Sequence, residues 1–174
     1  MGHPIHFDSV DALGAGALGD PGSRVFYIQA QQLGERLTVV VEKQQVALLA
    51  QQVTDFLDRI AEDYPEETMG DFGIGPDGGI AEPAVPLFRA RMIGLGFEPD
   101  RGMVLIELRE RGDDEDEDGS DSTEEGFVAR IFASREQVRA MAACGVEAVA
   151  GGRPPCPLCT FPMDLEGHIC PRWN

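Results

Sequence analysis

Lysine is almost missing from this 174-residue chain, with Lys43 standing alone among fourteen basic residues, while acids number 31 and the formal charge at pH 7 is −17. Proteins that hold nucleic acid or anionic lipid do so through rows of Lys and Arg that displace counterions. No such row occurs, so neither nucleic acid nor a membrane surface is expected as a partner. Long apolar runs are missing too: none approaches the roughly 18 residues that cross a bilayer. The N-terminus, Met1-Gly-His-Pro-Ile-His, has neither a basic segment nor an apolar stretch of the secretory kind, which sets the expectation of a reducing, cytoplasmic setting. Histidines number three, and His3 and His6 sit at a chain end, where side chains are rarely organised for catalysis. No Gly-x-Ser-x-Gly, His-Glu-x-x-His or Walker-type loop is present, and the glycines between Gly70 and Gly79 lack the Lys-Ser/Thr of a phosphate loop. Apolar residues at 43 % are nonetheless enough for a folded core.

What the chain does carry is concentrated at its end. Cys156-Pro-Leu-Cys159 is followed by Gly167-His168-Ile-Cys170-Pro171, which puts four soft or borderline ligands within fifteen residues. Cys156, Cys159, His168 and Cys170 are the complement of one tetrahedral zinc ion per chain, and four protein ligands make a closed, structural site. Pro157 and Gly167 supply the turns that bring such ligands together. Two variants stay open. Cys144 replaces His168 as fourth ligand in one, because a His-x-Cys pair is a less usual second knuckle. In the other His168 is no ligand, and three cysteines leave a coordination position free, with Asp164 or Glu166 nearby as base; that would be a zinc-dependent hydrolase. A disulfide pairing finds no support in the N-terminus, and a Cys156/Cys159 redox pair lacks the helix start that such dithiols use.

The body of the chain reads as α+β. A short strand is expected within Ile5 to Val10, a turn at Asp20-Pro-Gly-Ser, and a hairpin over 24–42 whose second strand, with Val39, Val40 and Val41 in a row, is covered on both faces. Val46, Leu49, Val53, Phe56, Leu57 and Ile60 fall at helical spacing, so a helix runs from Gln44 to about Asp63 and stops at Tyr64-Pro65. The Gly-rich stretch 65–83 is long for a connection and reads as a functional or mobile flap. A second hairpin covers 84–111. Residues 113–125 hold nine acids and no base, and without them the charge of −17 falls to −8; like charges this dense form a disordered, solvated loop. A strand over 126–133 leads to a helix capped by Ser134 with Gln137 three residues on, its buried stripe Val138, Met141, Ala142, Val146 and Val149, ended by Gly151-Gly152. Glu42-Lys-Gln-Gln-Val and Ser134-Arg-Glu-Gln-Val echo one another. The expected architecture is therefore two strand-strand-helix units, related by an internal duplication, that form an antiparallel sheet with helices on one face. Residues 1–152 make the core and 153–174 the zinc-knuckle tail. Arg24, Glu42, Lys43 and Gln45 gather near the first helix start, where ion pairing at a hairpin edge weighs more than a ligand site.

Pro21-Gly-Ser-Arg-Val-Phe-Tyr-Ile-Gln-Ala, the Glu42-Lys-Gln-Gln-Val helix start, and Gly152-Arg-Pro-Pro-Cys-Pro-Leu-Cys through Gly167-His-Ile-Cys-Pro-Arg together resemble an actinobacterial family of proteins of unknown function, DUF3090. The resemblance implies a cytosolic protein with a metal-binding tail and brings no activity with it. The Arg-over-Lys usage suits the GC-rich genome of such a source. The expected function is a non-catalytic, zinc-containing binding or adaptor protein. Its partner is another protein, met by Phe161, Pro162, Met163 and Trp173 on the stapled tail.

Overall fold

The computed structural model describes residues 4–66, 77–110, 126–164 and 166–173. Among these described residues, eight strands and two helices follow in the order β1 (Ile5–Phe7), β2 (Ala12–Leu18), β3 (Val25–Gln32), β4 (Glu35–Val41), α1 (Lys43–Asp63), β5 (Phe88–Arg89), β6 (Met92–Glu98), β7 (Met103–Arg109), β8 (Val128–Ala133) and α2 (Arg135–Ala150). The fold is α+β, as the pattern of hairpins and amphipathic helices implied. The strands divide into two four-stranded sheets, with orders β1-β8-β7-β6 and β2-β3-β4-β5. Each is an antiparallel meander closed by one short parallel strand: β1 beside β8, and β5 beside β4.

This division shows what the echoed helix starts belong to. Each half is a short strand, a three-stranded meander and a helix, and each half lends its short strand to the other half's sheet. The expected strand-strand-helix unit was thus too small by two strands. Corresponding residues do corresponding work. Phe7 on β1 pairs with Ile131 and Phe88 on β5 pairs with Val39, and both phenylalanines are buried. Just after each lent strand, Val10 N–H donates to Phe132 O and Ala90 N–H to Val40 O. Next, Asp11 N–H donates to Gln31 O and Arg91 N–H to Arg109 O, opening β2 and β6.

The glutamine at the third position of each helix locks the exchange. Gln137 Oε1 accepts from Ser134 N–H at 2.9 Å, and its Nε2 donates to Val10 O at 2.9 Å. Gln45 Oε1 accepts from Glu42 N–H at 2.8 Å, and its Nε2 donates to Arg91 O at 3.1 Å and Ala90 O at 3.3 Å. One side chain therefore satisfies an orphan amide at a helix start and ties down the linker arriving from the other half.

A single apolar core runs through both sheets and both helices, from Phe7, Leu13 and Ile28 to Ile106, Ile131, Val138 and Met141. Val39, Val40 and Val41 are all buried, so β4 is covered on both faces as its unbroken apolar run implied. Val46, Leu49, Val53 and Leu57 are buried on α1, with Phe56 and Ile60 packed at the edge. On α2 the stripe is narrower than its spacing suggested: Val138, Met141 and Ala142 are buried, but Val146 is exposed. At the start of α2 a charged residue is inside instead. Arg135 is buried, donates to Tyr64 O at 2.6 Å and lies 4.9 Å from the centre of the Phe97 ring. Ion pairing with Glu66 at 3.9 Å completes its surroundings.

β2 was not expected at all, since Ala12-Leu-Gly-Ala-Gly-Ala-Leu has little strand propensity. Its glycines are required by close approach. A Cβ on Gly14 would stand 1.9 Å from Gly79 O, because Ala15 N–H donates to Gly78 O at 2.9 Å and the 77–81 segment lies directly on β2. Gly78 in turn touches the backbone of α2 at Ala140 and Met141. Gln29, buried, clasps the next residues: its Nε2 donates to Ala81 O at 3.0 Å and its Oε1 accepts from Ala81 N–H at 2.9 Å. The part of the 65–83 stretch read as a flap is therefore, over 77–83, an ordered filler between β2 and α2. Residues 67–76 and the acidic run 113–125 lie outside the described residues.

Candidate metal centre

After α2 the chain leaves through Gly151 and Gly152 and doubles back on itself twice. Pro155 bridges Pro162 and Asp164 bridges Gly167. Cys156 N–H donates to Phe161 O at 2.8 Å and Thr160 N–H to Cys156 O at 2.9 Å, which closes the Cys156–Cys159 turn. Thr160 leaves that turn at φ +64° and Gly167 enters the second knuckle at φ +91°, a conformation that costs glycine little. Gly167 N–H donates to Asp164 O and Trp173 N–H to Cys170 O, so His168 and Cys170 also sit on a closed turn. Arg153 Nη1 to Asp164 Oδ1, at 2.8 Å, ties the two strands of this tail together.

The two turns aim their side chains at one point. One ligand atom from each of Cys156, Cys159, His168 and Cys170 lies within 4.8 Å of all the others. Cys156 Sγ stands 3.9 Å from Cys170 Sγ, and Cys159 Sγ 3.1 Å from His168 Nε2. Around a zinc ion with Zn–S near 2.3 Å and Zn–N near 2.0 Å, tetrahedral ligand atoms are about 3.5–3.8 Å apart. These two separations are within a few tenths of an ångström of the spacing a zinc needs, and all of the separations are within 4.8 Å. Cys156 and Cys170 are buried, and Cys159 and His168 close the outer side.

A backbone amide beside the sulfurs fits the same chemistry. Leu158 N–H points at Cys156 Sγ at 3.4 Å. The amides of Cys159 and Leu158 hold the Cys156 thiol below its ordinary value. Burial pushes the Cys159 thiol up, reinforced by the neighbouring Cys156 and Cys170 sulfurs and opposed by the Phe161 amide. Three thiols and an imidazole this close are a donor set able to hold a divalent cation.

All four expected ligands are brought together. Cys144 is not among them: it projects from α2 toward the 77–78 segment, where burial and the charges of Glu147 and Asp77 raise its pKa against a hydrogen bond from Gly78 N–H. Asp164, weighed as a base for an open site, is held by Arg153, and Glu166 is exposed. On the outer surface of the tail Leu158, Phe161, Ile169 and Trp173 are exposed, Ile169 at 99 %; Pro162 is exposed as well and Met163 half-buried.

Sequence reading missed one feature beside this centre. Pro162, Gly152 and Arg153 of the tail face Arg24, Phe26, Val40, Glu42, Lys43 and Arg89 across a cavity of about 470 Å³. Arg24, Glu42 and Lys43 had been grouped from the sequence; Gln45 turns away to its capping role. The expected edge ion pair exists, but Glu42 takes Arg89 as its partner.

An α+β core of two interlocked halves, carrying a tail with a Cys₃His cluster able to hold a metal ion, defines the class of protein. The model of the family described as "Protein of unknown function (DUF3090)" matches residues 5–170, and the chain belongs to that family. The match spans core and tail alike. No curated protein and no solved structure matches the chain. Among the described residues no helix is long and apolar enough to cross a membrane.

Proposed function

We propose that this is a non-catalytic, zinc-containing binding protein of the cytoplasm. One structural zinc ion per chain, held by Cys156, Cys159, His168 and Cys170, shapes a tail that docks another protein. The observation that carries this reading is the convergence of all four ligand atoms within 4.8 Å, with His168 Nε2 against Cys159 Sγ. A set of four leaves no coordination position for substrate, which is how structural sites differ from catalytic ones. The metal's contribution is cohesion, since a tail of about twenty residues with few buried apolar side chains cannot fix its own turns. Leu158, Phe161, Ile169 and Trp173, exposed around the rim of the cluster, are the surface such a partner would cover. Nucleic acid is disfavoured as that partner by the charge of −17.

The competing reading, an open three-cysteine hydrolytic centre, has less support, because His168 stands in the ligand set and Asp164 is engaged by Arg153. Protein purified without chelator should carry about one zinc per chain by elemental analysis. The zinc-loaded protein should retain a partner that both the chelated protein and a Phe161→Ser/Trp173→Ser variant release. Metal-free protein with all four thiol and imidazole groups freely reactive would refute the reading.

A further inference from the structure

We propose that the cavity between the start of α1 and the tail is a binding site for a phosphorylated small molecule. It holds about 470 Å³, within the range of roughly 300–1,000 Å³ typical of small-molecule sites. Four cationic side chains line it, Arg24, Lys43, Arg89 and Arg153, with Glu42 the one acid. In a chain of net charge −17 with fourteen basic residues, this is a marked local reversal of sign.

The charges within it do not cancel. Arg89 is neutralised by Glu42, and Arg153 by Asp164 at 2.8 Å. Arg24 and Lys43 have no acidic partner among the described residues, and Arg24 has only the face of Phe26, 5.5 Å away. They are nevertheless held close to each other. A Cβ built on Gly152 would stand 3.2 Å from Lys43 Nζ and 3.4 Å from Arg24 Nη2. The carbonyls at the end of α2 attract cations there, but a helix C-terminus carries only about half a unit of negative charge, too little for two full positive ones. A dianionic group placed between the ammonium and the guanidinium fork would complete the balance, and phosphate matches both.

The size and the remaining walls say what the phosphate is attached to. A bare phosphate would leave most of the cavity empty. Val25, Phe26, Val40, Val41 and Pro162 give the rest an apolar lining suited to a sugar or base. A chain of net charge −17 repels a long polyanion as a whole, whereas a small ligand meets only the pocket. The site is formed across the chain, with Arg24 before β3, Lys43 at the first turn of α1, Arg89 on β5 and Arg153 in the tail.

Calorimetric titration of the full-length protein at low salt tests this, with ribose 5-phosphate, AMP and inorganic pyrophosphate as probes and ribose and adenosine as uncharged counterparts. At least one phosphorylated probe should bind one-to-one with Kd below about 1 mM, and the uncharged counterparts should not. The Arg24→Gln/Lys43→Gln variant should lose roughly tenfold or more of that affinity. Arg36→Gln, on β4 but outside the cavity, should bind as the parent does. If the double variant fails to fold, Lys43→Gln alone, at an exposed position, should still weaken binding severalfold. Absence of binding by every phosphorylated probe, or binding unchanged in Lys43→Gln, overturns the proposal.

Discussion

Replacing Gln137 by alanine removes two hydrogen bonds, one that caps helix α2 and one that ties α2 to the linker after the strand lent by the opposite half. Gln137 Oε1 no longer accepts from Ser134 N–H, and Val10 O loses its donor at 2.9 Å. Ser134 Oγ still accepts from the residue-137 amide, because that bond uses backbone. With about 1 kcal/mol net for each bond lost, the variant should be less stable by about 2 kcal/mol. A domain of this size loses roughly 2–4 °C of Tm per kcal/mol, so thermal denaturation followed by circular dichroism should fall by about 4–8 °C. Gln45→Ala should cost a similar amount, since Gln45 holds Glu42 N–H and the Ala90 and Arg91 carbonyls in the same way. Gln137→Glu keeps the acceptor and loses the donor, and should recover about half of the deficit. Gln44→Ala, at an exposed neighbouring position, should stay within about 0.5 kcal/mol. Hydrogen exchange should quicken at Val10 in Gln137→Ala and at Ala90 in Gln45→Ala. If both alanine variants behave like Gln44→Ala, the glutamines do not lock the halves and the reasoning fails.

The other expectations are as specific. Gly14→Ala puts a methyl 1.9 Å from Gly79 O and should destabilise by about 3 kcal/mol or more, whereas Gly94→Ala, its counterpart on β6, meets only Glu107 Cβ at 3.9 Å and should be near neutral in denaturant melts. At Glu107, burial pushes the carboxyl up, but hydrogen bonds and charges from Arg130 and Arg109 outweigh it and leave the pKa below its ordinary value. Stability from Glu107 is therefore full above the unfolded pKa of about 4.3 and is lost as pH falls through the lower folded value. Glu107→Gln should be less stable than the parent by about 1 kcal/mol at pH 7, and denaturant melts should show the gap closing toward pH 3. Cys156→Ser should lose bound zinc in elemental analysis while Cys144→Ser keeps it, because Cys144 lies outside the cluster.

Those elements whose residues announce their own surroundings were legible in the sequence. Val39 to Val41 could only belong to a strand covered on both faces, the α1 stripe has regular spacing, and Ser134 with Gln137 is a complete cap. The Cys₃His cluster was equally plain, because its four residues lie within fifteen positions and proline and glycine mark its turns. β2 was hidden because its alanines and glycines answer to the 78–80 segment packed on it, a neighbour more than sixty positions away. The division into two sheets was hidden for a related reason. Phe88-Arg-Ala-Arg-Met-Ile-Gly-Leu-Gly-Phe reads as one strand, yet Ala90 and Arg91 carry the chain from one sheet to the other. Nor does periodicity reveal that Arg135 is buried and Val146 exposed, since Tyr64 and Phe97 decide the first from other elements. The cationic cavity draws on four separate stretches of chain, of which the sequence brought two together.

The absorption spectrum of the cobalt(II)-substituted protein tests the closed metal centre most directly. Three thiolates and one imidazole in tetrahedral array should give intense visible bands with sulfur-to-cobalt charge transfer at shorter wavelength. The spectrum should change when His168 is replaced by alanine. Weak bands of a five- or six-coordinate ion, or a spectrum indifferent to His168→Ala, would contradict the account.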